Sequence, residues 1–290
     1  MKAAPFEYSR AQTIDEACAW LAADDSARII AGGQTLVPMM AMRLARPTRL
    51  IDIARIGELS YIREAADAVE IGATTRQCLV ERSALIASHV PLLARAVPWI
   101  GHSATRARGT VGGSLANADP AAELPLIAMT LDAVLVARAD GEDSEIPAAD
   151  FFIGPMITTM PAGGVLAGVR FPVWQGKIGT GFHEINARSS DFAFVSAATQ
   201  VELDDVGKCK RIAIGVGAAT DFPMRLESAE QKLTGGKLDD AAIKQAVTEA
   251  LADIDALDDL HATAAYRARV AVKLATRAII DARDHALGKT

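Results

Sequence analysis

Gly109-Thr110-Val111-Gly112-Gly113-Ser114-Leu115-Ala116-Asn117-Ala118-Asp119-Pro120 sets a Gly-Gly pair between two hydroxyl residues. A second such pair stands upstream in Ala31-Gly32-Gly33-Gln34-Thr35-Leu36, directly after the β-branched run Arg28-Ile29-Ile30. Glycine lets the backbone take positive φ and approach a ligand closely, because no Cβ intervenes. Successive N–H groups in such a bend can converge on an anion, and Thr35, Thr110 and Ser114 can add hydroxyl donors. A pyrophosphate can be held this way without a lysine. Each Gly-Gly pair taken alone is equally ordinary turn chemistry. No G-x-G-x-x-G follows the first strand, and Gly176-Lys177, Gly207-Lys208, Gly236-Lys237 and Gly288-Lys289 all lack the upstream glycine of a P-loop. Spacing and composition thus lead to a phosphate-bearing cofactor between two bends, without choosing the cofactor.

The surrounding chain has 290 residues, 50% of them apolar and 5% aromatic, with 30 basic and 36 acidic side chains. Its mean hydropathy is +0.18. That composition excludes a disordered chain and suits two domains with full cores. A net charge of −6 argues against nucleic-acid binding. The three cysteines, Cys18, Cys78 and Cys209, are far apart and form no cluster or zinc motif. No charged leader with an apolar core opens the chain, so the cytoplasm is the expected location. Phe151 to Val169 carries no charge, but its prolines and glycines mark a buried loop entering a strand, and no membrane span is expected.

Thr13-Ile14-Asp15-Glu16 has the form of a capping box and predicts the first helix. Strands are expected at Arg28–Ala31, Leu50–Ile53, Ala68–Gly72, Leu131–Ala137 and Gly164–Phe171, and a helix broken at Pro91 within Ser83–Ala96. Gly176, Gly179 and Gly181 read as a flexible connection. Beyond them Phe192–Leu203 and Arg211–Gly217 form a hairpin through Asp204-Asp205-Val206-Gly207. Helical spacing then follows in Ile243, Val247, Leu251 and Ile254, and in Tyr266, Val270 and Leu274.

Ile30-Ala31-Gly32-Gly33-Gln34-Thr35-Leu36-Val37-Pro38 with Arg43-Leu44-Ala45-Arg46-Pro47, and Ile100-Gly101-His102 with Arg106 through Pro125, resemble the two FAD loops of a known family. It is the medium, flavoprotein subunit of the molybdenum hydroxylases, the xanthine dehydrogenase and carbon monoxide dehydrogenase family. Ile146 to Phe152, Asn186 to Phe192, Tyr266-Arg267 and Arg277-Ala278 extend the likeness from end to end. The resemblance implies an α+β fold. A two-part FAD-binding domain of the vanillyl-alcohol-oxidase (PCMH) type would span residues 1–175. A smaller α+β C-terminal domain, residues 176–290, would carry an antiparallel sheet and helices. FAD would be bound non-covalently. Molybdopterin and two [2Fe–2S] clusters would reside only on a large and a small partner subunit, in a dimer of heterotrimers. Electrons would pass from those clusters through FAD to an external acceptor.

Site residues follow from the same resemblance, position by position. Ile29, Ile30, Ala31, Gly32, Gly33, Gln34, Thr35 and Leu36 match the first pyrophosphate loop. Thr110, Val111, Gly112, Gly113 and Ser114 match the second, and Asp119 lies in the same run. Glu123 takes the place of an acidic residue that contacts the cofactor in xanthine dehydrogenase. Ile100 matches a bulky position beside the flavin or adenine, and Leu166 falls near a backbone contact to the flavin. Phe192 corresponds to the side chain against the isoalloxazine ring, with Asp191 beside it. His183 stands where xanthine dehydrogenases carry lysine. No catalytic acid–base set and no metal ligand is assigned. Arg106 and Arg108 are read either as phosphate or partner contacts or as salt-bridge residues. Two other functions remain open at this level: a self-contained flavin oxidase of the same fold, and an assembly subunit whose glycine pairs are only turns.

Overall fold

The computed structural model describes residues 2–289. Thr13 caps the first helix, Ile14–Ala22, its hydroxyl accepting the Glu16 amide, while Ile14, Ala17 and Cys18 are buried. That helix covers a three-stranded parallel sheet whose central strand, Arg49–Asp52, lies between Glu7–Arg10 and Arg28–Ile30. Next comes a five-stranded antiparallel sheet in the spatial order Ile62–Glu64, Ala68–Gly72, Val165–Pro172, Val134–Ala139, Glu142–Pro147. Pro91 divides its region into two short helices, Ala84–His89 and Pro91–Ala96. The uncharged Phe151–Val169 stretch forms a small hairpin, Phe152–Gly154 with Ile157–Thr158, and then enters the central strand. Among the described residues, no helix is long and apolar enough to cross a membrane.

The remaining chain builds a four-stranded antiparallel sheet: Lys177–Asn186, Ala193–Leu203, Cys209–Gly217 and Met224–Arg225. One face carries Val195, Val201, Ile214 and Val216 against helices Asp240–Ala250 and Ala264–Ala286. From the other face Phe182 and Ala198 join the apolar core of the first part, next to Leu92, Leu126 and Phe171. The Phe182 ring lies 5.7 Å from that of Trp99, and the Arg95 guanidinium donates to the Thr180 carbonyl at 2.6 Å. The two parts therefore share a continuous apolar contact.

Two local expectations require correction. Of the glycines of Trp174–Gly181, Gly179 and Gly181 do not form a loose connection, since Lys177–Asn186 is a ten-residue strand paired along its whole length, whereas Gly176 lies in the short link before it. The second glycine bend, in turn, is the start of a helix. Val111–Asn117 is helical, and the Thr110 hydroxyl accepts the Gly113 amide as its N-terminal cap. An eight-residue helix, Glu123–Thr130, also lies where none was expected. Seven of its residues are buried, so no polar face interrupts it.

Candidate functional site

A cleft of about 950 Å³ runs between the parallel sheet, the second glycine segment and the turn before Ala193. The two glycine segments meet in its wall. A Cβ placed on Gly32 would stand 2.6 Å from the Arg108 carbonyl oxygen and 2.9 Å from Gly109 Cα. Only glycine allows this approach. All eight residues from Ile29 to Leu36 line the cleft, as do Thr110, Gly112, Gly113, Ser114, Asp119 and Glu123. Ile100, Leu166, Asp191 and Phe192 line it as well, with Phe192 at the mouth and 69% exposed.

Two expected residues lie elsewhere. Val111 is buried and packs into the core behind the cleft. His183 lies on the opposite side of its strand, where Nε2 is 2.7 Å from Asp281 Oδ2 on the long helix. Alternation along a strand explains the second displacement: His183 shares the side of Gly179 and Gly181, whereas Phe182 and Glu184 lie on the other. Asn117, Thr105, Gln77 and the Gly163-Gly164 pair also line the cleft and were not singled out. Gln77 carries no motif. It is positioned through its own amide, which donates to the Gly109 carbonyl at 3.0 Å.

The two segments present different donors. Among the described residues, the amides of Gly32, Gly33, Gln34, Thr35 and Leu36 donate to no acceptor in the chain. Gly33 holds φ +69°, the left-handed conformation that turns successive amides inward. Four of the second segment's amides are already used: Val111 donates to Thr75, Gly112 to Ala73, Gly113 to the Thr110 hydroxyl and Ser114 to the Thr110 carbonyl. It offers a Cβ-free surface at Gly112-Gly113 and the Ser114 hydroxyl. A phosphate group thus fits the first segment as its donor nest and the second as its floor.

Glu123 in the cleft wall has a second carboxyl, Glu184, as its neighbour just outside the lining. Burial pushes the Glu123 carboxyl up to about 7, with neighbouring Asp119 raising it further and Arg106 opposing. Burial, and then the proximity of Glu123, pushes Glu184 up to about 8. Glu184 Oε1 accepts from Asn186 Nδ2 at 2.9 Å, and the same Nδ2 donates to the Asp191 carbonyl at 3.3 Å. Glu184 Oε2 has no partner among the described residues. Both carboxyls are held above their unfolded value, so the folded state favours their neutral forms. Their contribution to stability is complete at low pH and is lost as pH rises through about 7 and 8. The urea midpoint of the ligand-free chain is therefore expected to fall between about pH 5 and pH 8. Glu184→Gln should flatten that fall, and an unchanged slope would refute the assignment.

Arg106 resolves as a structural residue. It is buried, pairs with both Glu81 oxygens at 2.9 Å, and donates to the carbonyls of Ile100 and Gly101. It thereby ties the Ile100 turn to the helix Gln77–Glu81.

The cleft and its flanking parts define a cofactor-binding protein with a second, C-terminal sheet-and-helix part. Residues 4–174 match the family described as FAD binding domain in molybdopterin dehydrogenase. Residues 180–282 match the CO dehydrogenase flavoprotein C-terminal domain. The chain is 36% identical over 287 residues to the 6-hydroxypseudooxynicotine dehydrogenase complex subunit alpha of Paenarthrobacter nicotinovorans, covering 99% of this chain and 97% of that one. It is 32% identical to the glyceraldehyde dehydrogenase medium chain of Sulfolobus acidocaldarius, covering 94% and 96%. In structure it resembles carbon monoxide dehydrogenase from Hydrogenophaga pseudoflava, with a TM-score of 0.95, 31% identity and coverage of 98% and 99%. The chain belongs to the family of FAD-binding medium subunits of the molybdenum-containing dehydrogenases and hydroxylases. It is a flavoprotein component of an oxidoreductase complex.

Proposed function

We propose that the cleft holds FAD non-covalently, and that this chain is the electron-transfer subunit of a molybdenum hydroxylase. The carrying observation is the run of free amides from Gly32 to Leu36, set against the bare backbone of Gly112-Gly113. The pyrophosphate would take those amides with the hydroxyls of Thr35 and Ser114. Ile29, Ile30, Ala31, Ile100 and Leu166 would supply apolar walls. Asp119, Glu123, Asp191 and Phe192 would surround the flavin end. Bound FAD supplies reversible reduction, which carries electrons from the [2Fe–2S] clusters of a partner subunit to an external acceptor. The protein's share is to orient the flavin and set the charge around it. The raised proton affinity of Glu123 and Glu184 would reduce the negative charge near a ring that gains electrons.

In this reading residues 1–175 form the cofactor domain and residues 176–290 the domain that closes over the flavin. The partners are a large molybdopterin subunit and a small [2Fe–2S] subunit, assembled as a dimer of heterotrimers in the cytoplasm. Purified protein titrated with FAD should acquire the visible absorbance of an oxidised flavin at one per chain, and release it on denaturation. A chain that stays colourless would overturn the reading. Turnover of organic substrates by the isolated chain would instead favour a self-contained oxidase.

A further inference from the structure

Behind the first glycine segment lies a second cleft, of about 550 Å³, which shares residues Ile30 to Gln34 as a wall with the larger one. Four guanidinium groups border it: Arg10, Arg55, Arg76 and Arg108. Its single carboxylate, Asp52, is already engaged, accepting from the Tyr8 hydroxyl and the Ala54 amide and lying 3.5 Å from Arg10. Among the described residues, Arg55, Arg76 and Arg108 form no ion pair with any carboxylate, in a chain whose acidic groups outnumber its basic ones. Arg76 donates to the Arg108 main-chain carbonyl, which holds the Arg76 guanidinium against the segment that carries Arg108.

The remaining wall is apolar. Tyr8 and Val37, 52% and 50% exposed, stand with Pro38 beside the arginines, and the hydroxyl bond to Asp52 fixes the Tyr8 ring. The volume is that of a small-molecule pocket. Guanidinium forks match phosphate oxygens in pairs, and an aromatic face beside them accepts a planar base. We propose that this rear cleft binds a nucleoside diphosphate, with the phosphates on Arg55, Arg76 and Arg108 and the base against Tyr8. The site is separate from the flavin cleft, with only the first glycine segment between the two ligands. The ligand is either a free nucleotide or the ADP half of a dinucleotide.

The test is calorimetric titration of the FAD-loaded chain with ADP, with inorganic pyrophosphate, with NADH and with a polyglutamate peptide. ADP should bind saturably and more weakly as salt rises. The double substitution Arg55→Gln/Arg108→Gln should weaken it roughly tenfold or more while flavin content stays constant. Pyrophosphate should bind less tightly than ADP, and Tyr8→Ala should narrow that gap. NADH binding equal to ADP would assign the site to a dinucleotide, and weaker NADH binding to a mononucleotide. The proposal is overturned if ADP does not bind the loaded chain, if it displaces FAD, or if the arginine substitutions leave its affinity unchanged. Tighter binding of polyglutamate than of ADP would also overturn it, marking the cleft as a seat for an acidic polypeptide.

Discussion

Gly32→Val is expected to give a folded chain that purifies without flavin. The added Cβ would stand 2.6 Å from the Arg108 carbonyl oxygen, 2.9 Å from Gly109 Cα and 3.2 Å from the Thr110 nitrogen. All three are backbone atoms, so no side chain can swing aside. The second segment cannot yield easily. Its Val111 and Gly112 amides are bonded to Thr75 and Ala73, and the Gly109 carbonyl to the Gln77 amide. The first segment is the softer partner, because its amides have no acceptor within the described residues and its strand is only three residues long. The clash should therefore be relieved by moving Gly32 to Thr35 outward, which disperses the free amides proposed above to hold the pyrophosphate. Each hydrogen bond to a charged group contributes about 1.5–3 kcal/mol. Losing two of them weakens FAD binding by roughly a hundredfold or more. The stability cost of such overpacking is about 1–3 kcal/mol, small enough for a domain of this size to remain folded. Flavin absorbance per chain and the far-UV circular dichroism read the two effects separately. A Gly32→Val protein with one tightly held FAD would disprove the role given to this contact.

Gly113→Ala provides the contrast. The nearest atom to its added Cβ is the Thr110 hydroxyl, at 2.6 Å, and nothing else lies closer than 4.0 Å. A hydroxyl can rotate away at the cost of a helix cap, about 1 kcal/mol. Gly113→Ala should consequently keep much of its FAD, although its glycine sits in the same motif.

The comparison shows what sequence alone could carry. The capping box at Thr13, the hairpin at Asp204–Gly207 and the long amphipathic tail are local patterns, and local physics realises them. The glycine segments were legible as a pair because both place Gly-Gly beside small hydroxyl residues. That the second one is helical was not, since Val-Gly-Gly has poor helix propensity. Tertiary contact decides there: Gly112 lies against Ala73, where a Cβ would come within 2.7 Å of the Ala73 Cα. The Glu123–Thr130 helix was hidden for the opposite reason, because burial on all sides leaves no period to detect. Arg106 shows nothing in sequence of its partner Glu81, twenty-five positions away. Parity places His183 once Gly179 and Gly181 are known to be strand residues facing a helix.

Those two glycines carry the larger stability prediction. Gly181→Val should unfold the C-terminal part of the chain, and Gly179→Val should do so nearly as well. A Cβ on Gly181 would lie 2.7 Å from the Ala278 carbonyl carbon and 2.9 Å from its Cα, and would overlap the Ala278 oxygen. On Gly179 it would lie 2.5 Å from the Ala286 nitrogen and would overlap the Ala282 oxygen. The fit has a simple origin. Two strand residues advance about 6.6 Å, and four helical residues about 6 Å. Alternate strand positions therefore meet successive turns of the helix, at Ala278, Ala282 and Ala286. With alanine on one surface and glycine on the other, helix Ala264–Ala286 lies directly on strand Lys177–Asn186. That contact seals a core containing Val195, Ile214, Ala275 and Ile279. A branched side chain must push the two backbones apart along that seam, and the gap cannot be closed locally because neighbouring bonds, such as Thr180 N–H to His285 Nδ1 at 3.1 Å, fix the same register. The expected cost exceeds about 4 kcal/mol, a range reached only by severe core defects. Urea unfolding followed by near-UV circular dichroism should show an early transition for the variant or no cooperative transition at all. The milder Gly179→Ala should lower the midpoint without abolishing cooperativity. A Gly181→Val chain as stable as the parent would mean that the helix does not rest on this strand.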